Sequence, residues 1–591
     1  MPRHAFAAVC PPLAELLRGS LALGVLLMLA CNQNAPPSPQ PTPPLTPVAP
    51  AVLDDLQGPL FIDETAASGL DFTYRNGEEA DHYAILESLG GGIGLIDYDQ
   101  DGRLDIFCTG GGRFGGDDNK QILGYPNRLF RNLGDWKFAD VTSDVGLPAE
   151  GPCYSHGVAV CDYDNDGWPD LLLTGYGRLA LYRNERGKLR DVTTSAGLDD
   201  PGPLHWSTSA GWGDFNGDGF NDLFIAHYLD WSFTNHPSCQ WSNETTDLCP
   251  PHRFAPLAGA LYLNQQGTGF ALQREAGIKL GRGLGVVLAD IDEDGSLDIY
   301  VANDGMENFL YLNRGEGRFE DVGSPAGVAY DDQGRPTGSM GVDLADCDGS
   351  GRLSLFVANY EGEEHALYRN LGSANFRYAS RTAGIAALGG HLVAFGGGFL
   401  DFDRDGQCDL MLANGHVLRH PASEKRKQEA VLLHNLRSAN DSPGEVRYSN
   451  STSVGGEYFA RPHIGRGVAL GDLNDDGLID LVVSHISEPV AVLRNNAQPT
   501  TQWLGVTLRG QQAREAVGAK VTLTQGDARQ VQVVKGGGSY LSSGDRRLLF
   551  ALREQDFQVT VQWPSDQKQT LSESQLARNR YVEIIEPPTS P

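Results

Sequence analysis

The chain has 591 residues and a formal net charge of −30, with 46 Lys and Arg against 76 Asp and Glu. That length is enough for two or three domains. The charge excludes nucleic acid as a partner, because attraction to phosphate dominates affinity there.

Residues 1–31 read as a targeting segment rather than as fold. Arg3 and Arg18 precede an apolar stretch, Leu21 to Ala30, too short to span a bilayer comfortably. It ends in Cys31 and resembles a bacterial lipoprotein signal, in which that Cys becomes the lipid-modified first residue. Met28 stands where such signals usually carry Leu, and ordinary secretion is the alternative. Residues 32–58 form a linker whose Pro-rich part, APPSPQPTPPLTPVAP from Ala35, acts as an extended spacer. Anchor, spacer and folded body in that order imply an extracytoplasmic protein of the cell envelope that touches a membrane through its lipid anchor only.

From residue 59 to 497 one pattern recurs seven times: an acidic loop of the form D-x-[DN]-x-D-G-x-x-D between two short apolar runs. Its candidate metal ligands stand at positions 1, 3, 5 and 9. They are Asp97, Asp99, Asp101 and Asp105 in the first loop and Asp162, Asp164, Asp166 and Asp170 in the second. The third loop has Asp214, Asn216, Asp218 and Asp222, and the fourth Asp290, Asp292, Asp294 and Asp298. The fifth offers only Asp346, Asp348 and Ser350, with Ser354 at position 9, so its site is doubtful. The sixth has Asp401, Asp403, Asp405 and Asp409, and the seventh Asp472, Asn474, Asp476 and Asp480. Oxygen ligands so spaced, with Gly at position 6 for the sharp turn, suit a hard cation such as Ca²⁺. An EF-hand needs a carboxylate at position 12. Here that place holds Cys108, Leu173, Ile225, Val301, Val357, Leu412 and Val483. Six or seven structural Ca²⁺ sites of another kind are expected.

Each loop follows a Gly-rich apolar run and precedes a second one, both too short for helices and rich in β-formers. A third run ends in Asn, at Asn132, Asn184, Asn264, Asn313, Asn370, Asn435 and Asn495. A fourth follows in six of the seven repeats, as in FADVTSDVGL from Phe138. The seventh lacks one, but FIDETAASGL, from Phe61, stands before the first repeat with that pattern. The reading is an all-β chain: a seven-bladed β-propeller closed by an N-terminal strand, followed by a small all-β domain over 498–588. Closure removes the unpaired edges of an open array. In an oxidising envelope Cys239 and Cys249, which bracket an insertion in the third repeat, are expected to form a disulfide.

The loops and their flanking strands resemble the FG-GAP or VCBS-type repeats of integrin α-subunit propellers. FIDETAASGLDFTY and the L-Y-x-N strands, with WLGVTLRG from Trp503, AVGAKVTL from Ala516, GGGSYLSS from Gly536 and VTVQWPSD from Val559, resemble the cartilage acidic protein type with its ASPIC/UnbV domain. LLFALRE and Asp566 depart from that pattern. The resemblance implies architecture and leaves activity open. The region after residue 497 reads independently as seven short strands, WLGVTLRG, AKVTLTQ, ARQVQVV, YLSS, RLLFAL, QVTVQW and YVEIIE, suited to a sandwich or barrel.

No nucleophile elbow, zincin, C-x-x-C, haem or P-loop motif occurs. His82, His156, His205, His391, His416, His420 and His463 are the remaining catalytic suspects, and structural roles are the competing reading. The leading functional expectation is a non-enzymatic, calcium-stabilised binding, adhesion or scaffold protein that recognises a protein or glycan through propeller loops. A propeller lyase or hydrolase with its site at the channel mouth, and an envelope assembly or maturation factor, are the alternatives.

Overall fold

The computed structural model describes residues 56–588, apart from 199–205, 242–244, 422–424, 439–440 and 512–513. The readings made on Cys31, the signal, most of the linker and His205 lie outside the described residues.

The chain is all-β and propeller-like, built on seven sets of four antiparallel strands, six of them separate sheets and the fourth extended to six strands by Thr337–Gly338 and Gly536–Gly537. The first contains Ile93–Ile96, Asp105–Cys108, Arg128–Asn132 and Phe138–Asp140. The next five repeat this order, starting at Tyr154–Cys161, Ser207–Gly213, Gly283–Ala289, Val342–Ala345 and Ala394–Leu400. The seventh holds Gly465–Gly471, Asp480–His485 and Ala491–Asn495, and its fourth strand is Phe61–Asp63. Phe61 pairs antiparallel with Asn495 and Asp63 with Leu493. Each acidic loop joins the first strand of a sheet to the second.

Apolar side chains fill the space between neighbouring sheets. Phe107 and Leu129 of the first sheet pack with Leu171 and Leu173 of the second. Ile93 and Ile106 of the first pack with Val482 and Val492 of the seventh. A polar belt runs beside this packing. In six sheets the Asp at position 9 is buried and accepts two backbone N–H bonds, one from position 2 of its own loop and one from the strand-three Asn. Asp105, for example, receives Tyr98 N at 3.2 Å and Asn132 N at 2.7 Å. The Asn side chain then donates to the position-2 carbonyl of the preceding sheet. The bonds run Asn184 to Tyr98 (2.9 Å), Asn264 to Tyr163 (2.8 Å), Asn313 to Phe215 (3.0 Å) and Asn370 to Ile291 (3.0 Å). They continue with Asn435 to Cys347 (3.0 Å), Asn495 to Phe402 (2.8 Å) and Asn132 back to Leu473 of the seventh sheet (2.9 Å).

The C-terminal region forms two sheets. One orders Leu548–Leu552, Gln502–Arg509 and Tyr581–Ile585, with the last pair parallel. The other orders Ala528–Val533, Lys520–Gln525, Gln558–Gln562 and Lys568–Ser572. The expected seven strands are present with one exchange. YLSS is not a strand of this region, and Lys568–Ser572, an edge strand without apolar alternation, takes its place.

YLSS belongs instead to a segment, residues 536–545, that reaches the first strands of all seven sheets. Gly536 and Gly537 pair with Leu288 and Val287 of the fourth. Val342 N of the fifth donates to Ser539 O (3.1 Å), and Val158 N of the second to Leu541 O (3.0 Å). Ser539 Oγ accepts from Gly397 N of the sixth (3.2 Å) and donates to Val468 O of the seventh (2.8 Å). Leu541 N donates to Ser209 Oγ of the third (3.1 Å), and Ser543 N to Ile93 O of the first (2.8 Å). The glycines are sterically required: a Cβ on Gly536 would stand 2.1 Å from Trp212 O, and Gly537 has φ +83°. Tyr540 is fully buried against Phe395, ring centroids 5.0 Å apart.

Replacing Asn184 by Ala strands the Tyr98 and Pro169 carbonyls and the Gly187 N–H, all of which it now satisfies. A loss of roughly 2–3 kcal/mol is expected in denaturant unfolding, against under about 0.5 kcal/mol for Leu133→Ser at an exposed site. Tyr540→Ala should cost about 3–5 kcal/mol by emptying the centre.

Candidate metal centres

The acidic loops are built around the Asp at position 1. Asp97 Oδ1 accepts Asp101 N and its Oδ2 accepts Gly102 N, both at 3.0 Å, which draws the backbone into a tight turn. The same pair of bonds recurs at Asp162, Asp214, Asp290, Asp401 and Asp472. Residue 4 takes a left-handed conformation, as at Gln100 (φ 56°) and Asn165 (φ 55°). That turn points the carboxylates of positions 1, 3 and 5 towards one another.

Convergence differs from loop to loop. Oxygens of Asp97, Asp99 and Asp101, and those of Asp290, Asp292 and Asp294, lie within 4.8 Å of one another. So do those of Asp162, Asp164 and Asp170, and of Asp401, Asp403 and Asp409. In the third and seventh loops the residue at position 3 is Asn. Asn216 donates to Asp218 (3.2 Å) and Asn474 to Asp476 (2.9 Å), so these loops converge as a carboxylate–amide pair. The position-9 carboxylates Asp105, Asp222, Asp298 and Asp480 stand in no three-acid group among the described residues, and their oxygens serve the backbone.

Two observations fit a cation. The donors are carboxylate and amide oxygens, the set that Ca²⁺ takes. Buried acceptors are also left without a hydrogen-bond partner, at Asp99 Oδ1 and Asp403 Oδ1, and such groups are costly unless something satisfies them. Electrostatics agree. Burial, with the neighbouring carboxylates adding, pushes Asp162 and Asp472 up to about 7 and Asp290 to about 6. Burial raises Asp105 and Asp222 to about 8.

Basic side chains, which the loop pattern does not contain, also enter the loops. On strand three, the residue before the Asn reaches back to position 3: Arg131 Nε lies 2.8 Å from Asp99 and Arg183 Nε 2.7 Å from Asp164. The fifth loop is the extreme case. Ser350 and Ser354 remove carboxylates, and Arg369 pairs with the fully buried Asp348 at 2.7 Å. Arg437 and Arg529 lower the carboxyl of Asp346, although burial and Asp348 outweigh them. An arginine thus balances the buried carboxylate there, and neither Asp346 nor Asp348 belongs to a three-acid group among the described residues.

The C-terminal region docks on this same loop-bearing side. Tyr581 donates to Asp472 (2.9 Å), Arg514 approaches Asp214 (3.4 Å), Lys520 pairs with Glu293 (2.7 Å) and Arg547 with Asp475 (2.7 Å). A cavity of about 200 Å³ remains between it and the fifth to seventh sheets, lined among others by Phe399, Leu470 and Phe550. The opposite end of the centre is closed by Ala84, Leu86, Trp206 and Trp231, all buried. Arg419 ties this cap together through Glu87 and Asp81, and its backbone N–H donates to Asp247 (3.1 Å). Asp247 lies in the loop closed by the Cys239–Cys249 disulfide.

Six of the seven suspect histidines fall among the described residues, and contacts within the scaffold engage the rings of four and the backbone of two. His156 is fully buried, stacks on Trp206 and has its pKa pushed down to about 3 by burial. His416 contacts Glu361 (2.8 Å), His463 contacts Glu488 (2.8 Å), and His82 meets the Asn119 carbonyl (2.6 Å). His420 N donates to Asp247 (2.7 Å), and the His391 carbonyl accepts from Gln428 (3.1 Å).

Comparison with known proteins agrees with this architecture. A family model described as FG-GAP-like repeat matches residues 97–173, 162–225 and 290–357, and one described as ASPIC and UnbV matches 509–591. Cartilage acidic protein 1 of Mus musculus is 26% identical over 536 residues, covering 84% of this chain and 74% of that one. The Homo sapiens protein is 25% identical, covering 84% and 72%. Among solved structures, an Agrocybe aegerita lectin that recognises non-reducing terminal N-acetylglucosamine is 17% identical with a TM-score of 0.36, covering 61% of this chain and 80% of its own.

The raised carboxyls make a signed prediction. Their folded values of about 6 to 8 stand above the unfolded value near 4. In cation-free buffer their contribution is therefore full below about pH 4 and lost as pH rises through 6 to 8. The thermal midpoint of the chelator-treated protein is expected to fall steadily from pH 5 to pH 8.5. A midpoint that rises over that range contradicts this electrostatic account.

Proposed function

Because this chain joins FG-GAP-like repeats to an ASPIC and UnbV region and is related to cartilage acidic protein 1, we propose that it is a calcium-stabilised extracytoplasmic binding or scaffold protein. In this reading the seven sheets are the blades of a closed propeller. Ca²⁺ is held in six loops, by positions 1, 3 and 5 together with position 9 where it converges, and the fifth loop relies on Arg369 instead. The ion supplies charge balance and ties each loop's carboxylates into one rigid turn. Lipid attachment through Cys31 and the 32–58 spacer would hold the body off a membrane.

The observation that carries this reading is the filling of the centre by residues 536–545, with a buried cap at the opposite end. The filled centre leaves no open bore behind a channel-mouth site, which favours binding over the enzyme alternative. The loop-bearing side is occupied by the C-terminal region, which leaves the opposite face and the outer rim for recognition of a protein or glycan.

With sites of extracellular-type affinity, Kd about 10⁻⁴ M, and about 1 mM Ca²⁺, each ion adds about 1.4 kcal/mol. Six would add roughly 8 kcal/mol, and chelation with EGTA is expected to lower the midpoint by about 5–10 °C. No shift would remove structural calcium from the reading. Pull-down from envelope extracts and a glycan array, each with and without Ca²⁺, test recognition. Turnover of any array glycan by the purified protein would favour the enzyme instead.

A further inference from the structure

The sixth sheet departs from its sisters at the strand-three position before the Asn. Arg131, Arg183 and Arg369 fill that position in the first, second and fifth sheets and pair with the position-3 carboxylate. Leu263, Leu312 and Arg494 stand there in the third, fourth and seventh, and Arg494 turns to Glu64 (2.9 Å). Only the sixth places a metal-ligating side chain there, His434. Its Nε2 lies 3.2 Å from Asp403 Oδ2, and ligand atoms of His434, Asp403 and Asp405 all fall within 4.8 Å of one another. His434 is only 9% exposed, set beside the Phe402 ring with centroids 5.7 Å apart. The second oxygen, Asp403 Oδ1, is buried without a hydrogen-bond partner.

We propose that Asp403, Asp405 and His434 form a mixed nitrogen–oxygen site that takes a borderline divalent cation of the Zn²⁺ class in preference to Ca²⁺. Calcium binds oxygen, whereas imidazole nitrogen suits Zn²⁺ and its transition-metal neighbours. Two ligand atoms bound at about 2.0–2.1 Å in tetrahedral geometry stand about 3.3 Å apart, close to the observed separation. Burial beside an aromatic ring keeps the imidazole fixed. This inference rests on the reading of the acidic loops as cation sites and deepens it for one loop.

The test is calorimetric titration of Zn²⁺ into the EDTA-stripped, redialysed protein in millimolar Ca²⁺, with bound metal counted by elemental analysis. One Zn²⁺ per chain is expected to persist against that Ca²⁺. His434→Arg, which installs the sister-sheet residue, should weaken Zn²⁺ binding by roughly tenfold or more while leaving the EGTA-sensitive thermal shift in place. His463→Asn controls for adventitious histidine binding and should keep the Zn²⁺. Retention of Zn²⁺ by His434→Arg, or no Zn²⁺ bound by the parent protein, reduces His434 to an ion-pair partner and overturns the proposal. An absent calcium shift in the parent protein would instead sink the broader reading of the loops.

Discussion

The side-chain amide of one asparagine per sheet is the contact on which the rest of this molecule depends. Sheets packed face to face by apolar side chains can slide, because hydrophobic contact has no direction. A buried hydrogen bond has direction, and each Asn spends one on the carbonyl at position 2 of the sheet before it. In six sheets that same position-2 residue gives its N–H to the position-9 Asp, which also receives the backbone N–H of its own sheet's Asn. Loop, strand and neighbouring sheet are therefore locked by one repeating unit, and the Asn132–Leu473 bond joins the first unit to the last. The fifth sheet is the weak link: Ser354 replaces the Asp, and Asn370 N reaches it only at 3.4 Å.

The belt concentrates carboxylates in one layer, and the molecule answers that repulsion in several ways. Oxygen donors converge where an ion fits. Arginines approach from strand three in the first, second and fifth sheets. The C-terminal region adds Arg514, Lys520 and Arg547 from outside. The docking of that region is thus part of the same charge balance as the loops, and its apolar core is continuous with the sheets through Leu288, Leu297 and Trp563.

Much of the strand pattern was legible because a short apolar run, a carboxylate loop and a second apolar run recur in fixed order. The hairpins, the loop turns and the strand at Phe61 follow from that order alone. The role of the loop carboxylates was only half legible. Positions 3 and 9 look alike in the sequence, yet Asp99 faces its fellow carboxylates while Asp105 faces backbone, a difference set by which residue begins the second strand. The strand-ending Asn was visible as a repeat, but its partner lies in another sheet and no local pattern names it. YLSS resembled a strand because Tyr540 and Leu541 are apolar, and they are apolar because seven strand edges surround them. Lys568–Ser572 escaped notice because an exposed edge strand has no buried face to impose alternation. His434 and Arg369 sit in the same register, and only the geometry of the turn shows what they face.

The segment at 536–545 also orders events in time. It lies far from the strands it touches, up to about 450 residues along the chain, as with Ser542 and Ile93 (|i−j| 449). The strand at Phe61 waits in the same way for Ala491–Asn495. The seam waits for Ala491–Asn495, and the centre waits further, for the last tenth of the polypeptide. Earlier sheets must persist as hairpins with unsatisfied inner edges, a topology that folds slowly and exposes strand edges to wrong partners on the way. Completion of the seventh sheet and filling of the centre are therefore both late events, and the second follows the first along the chain.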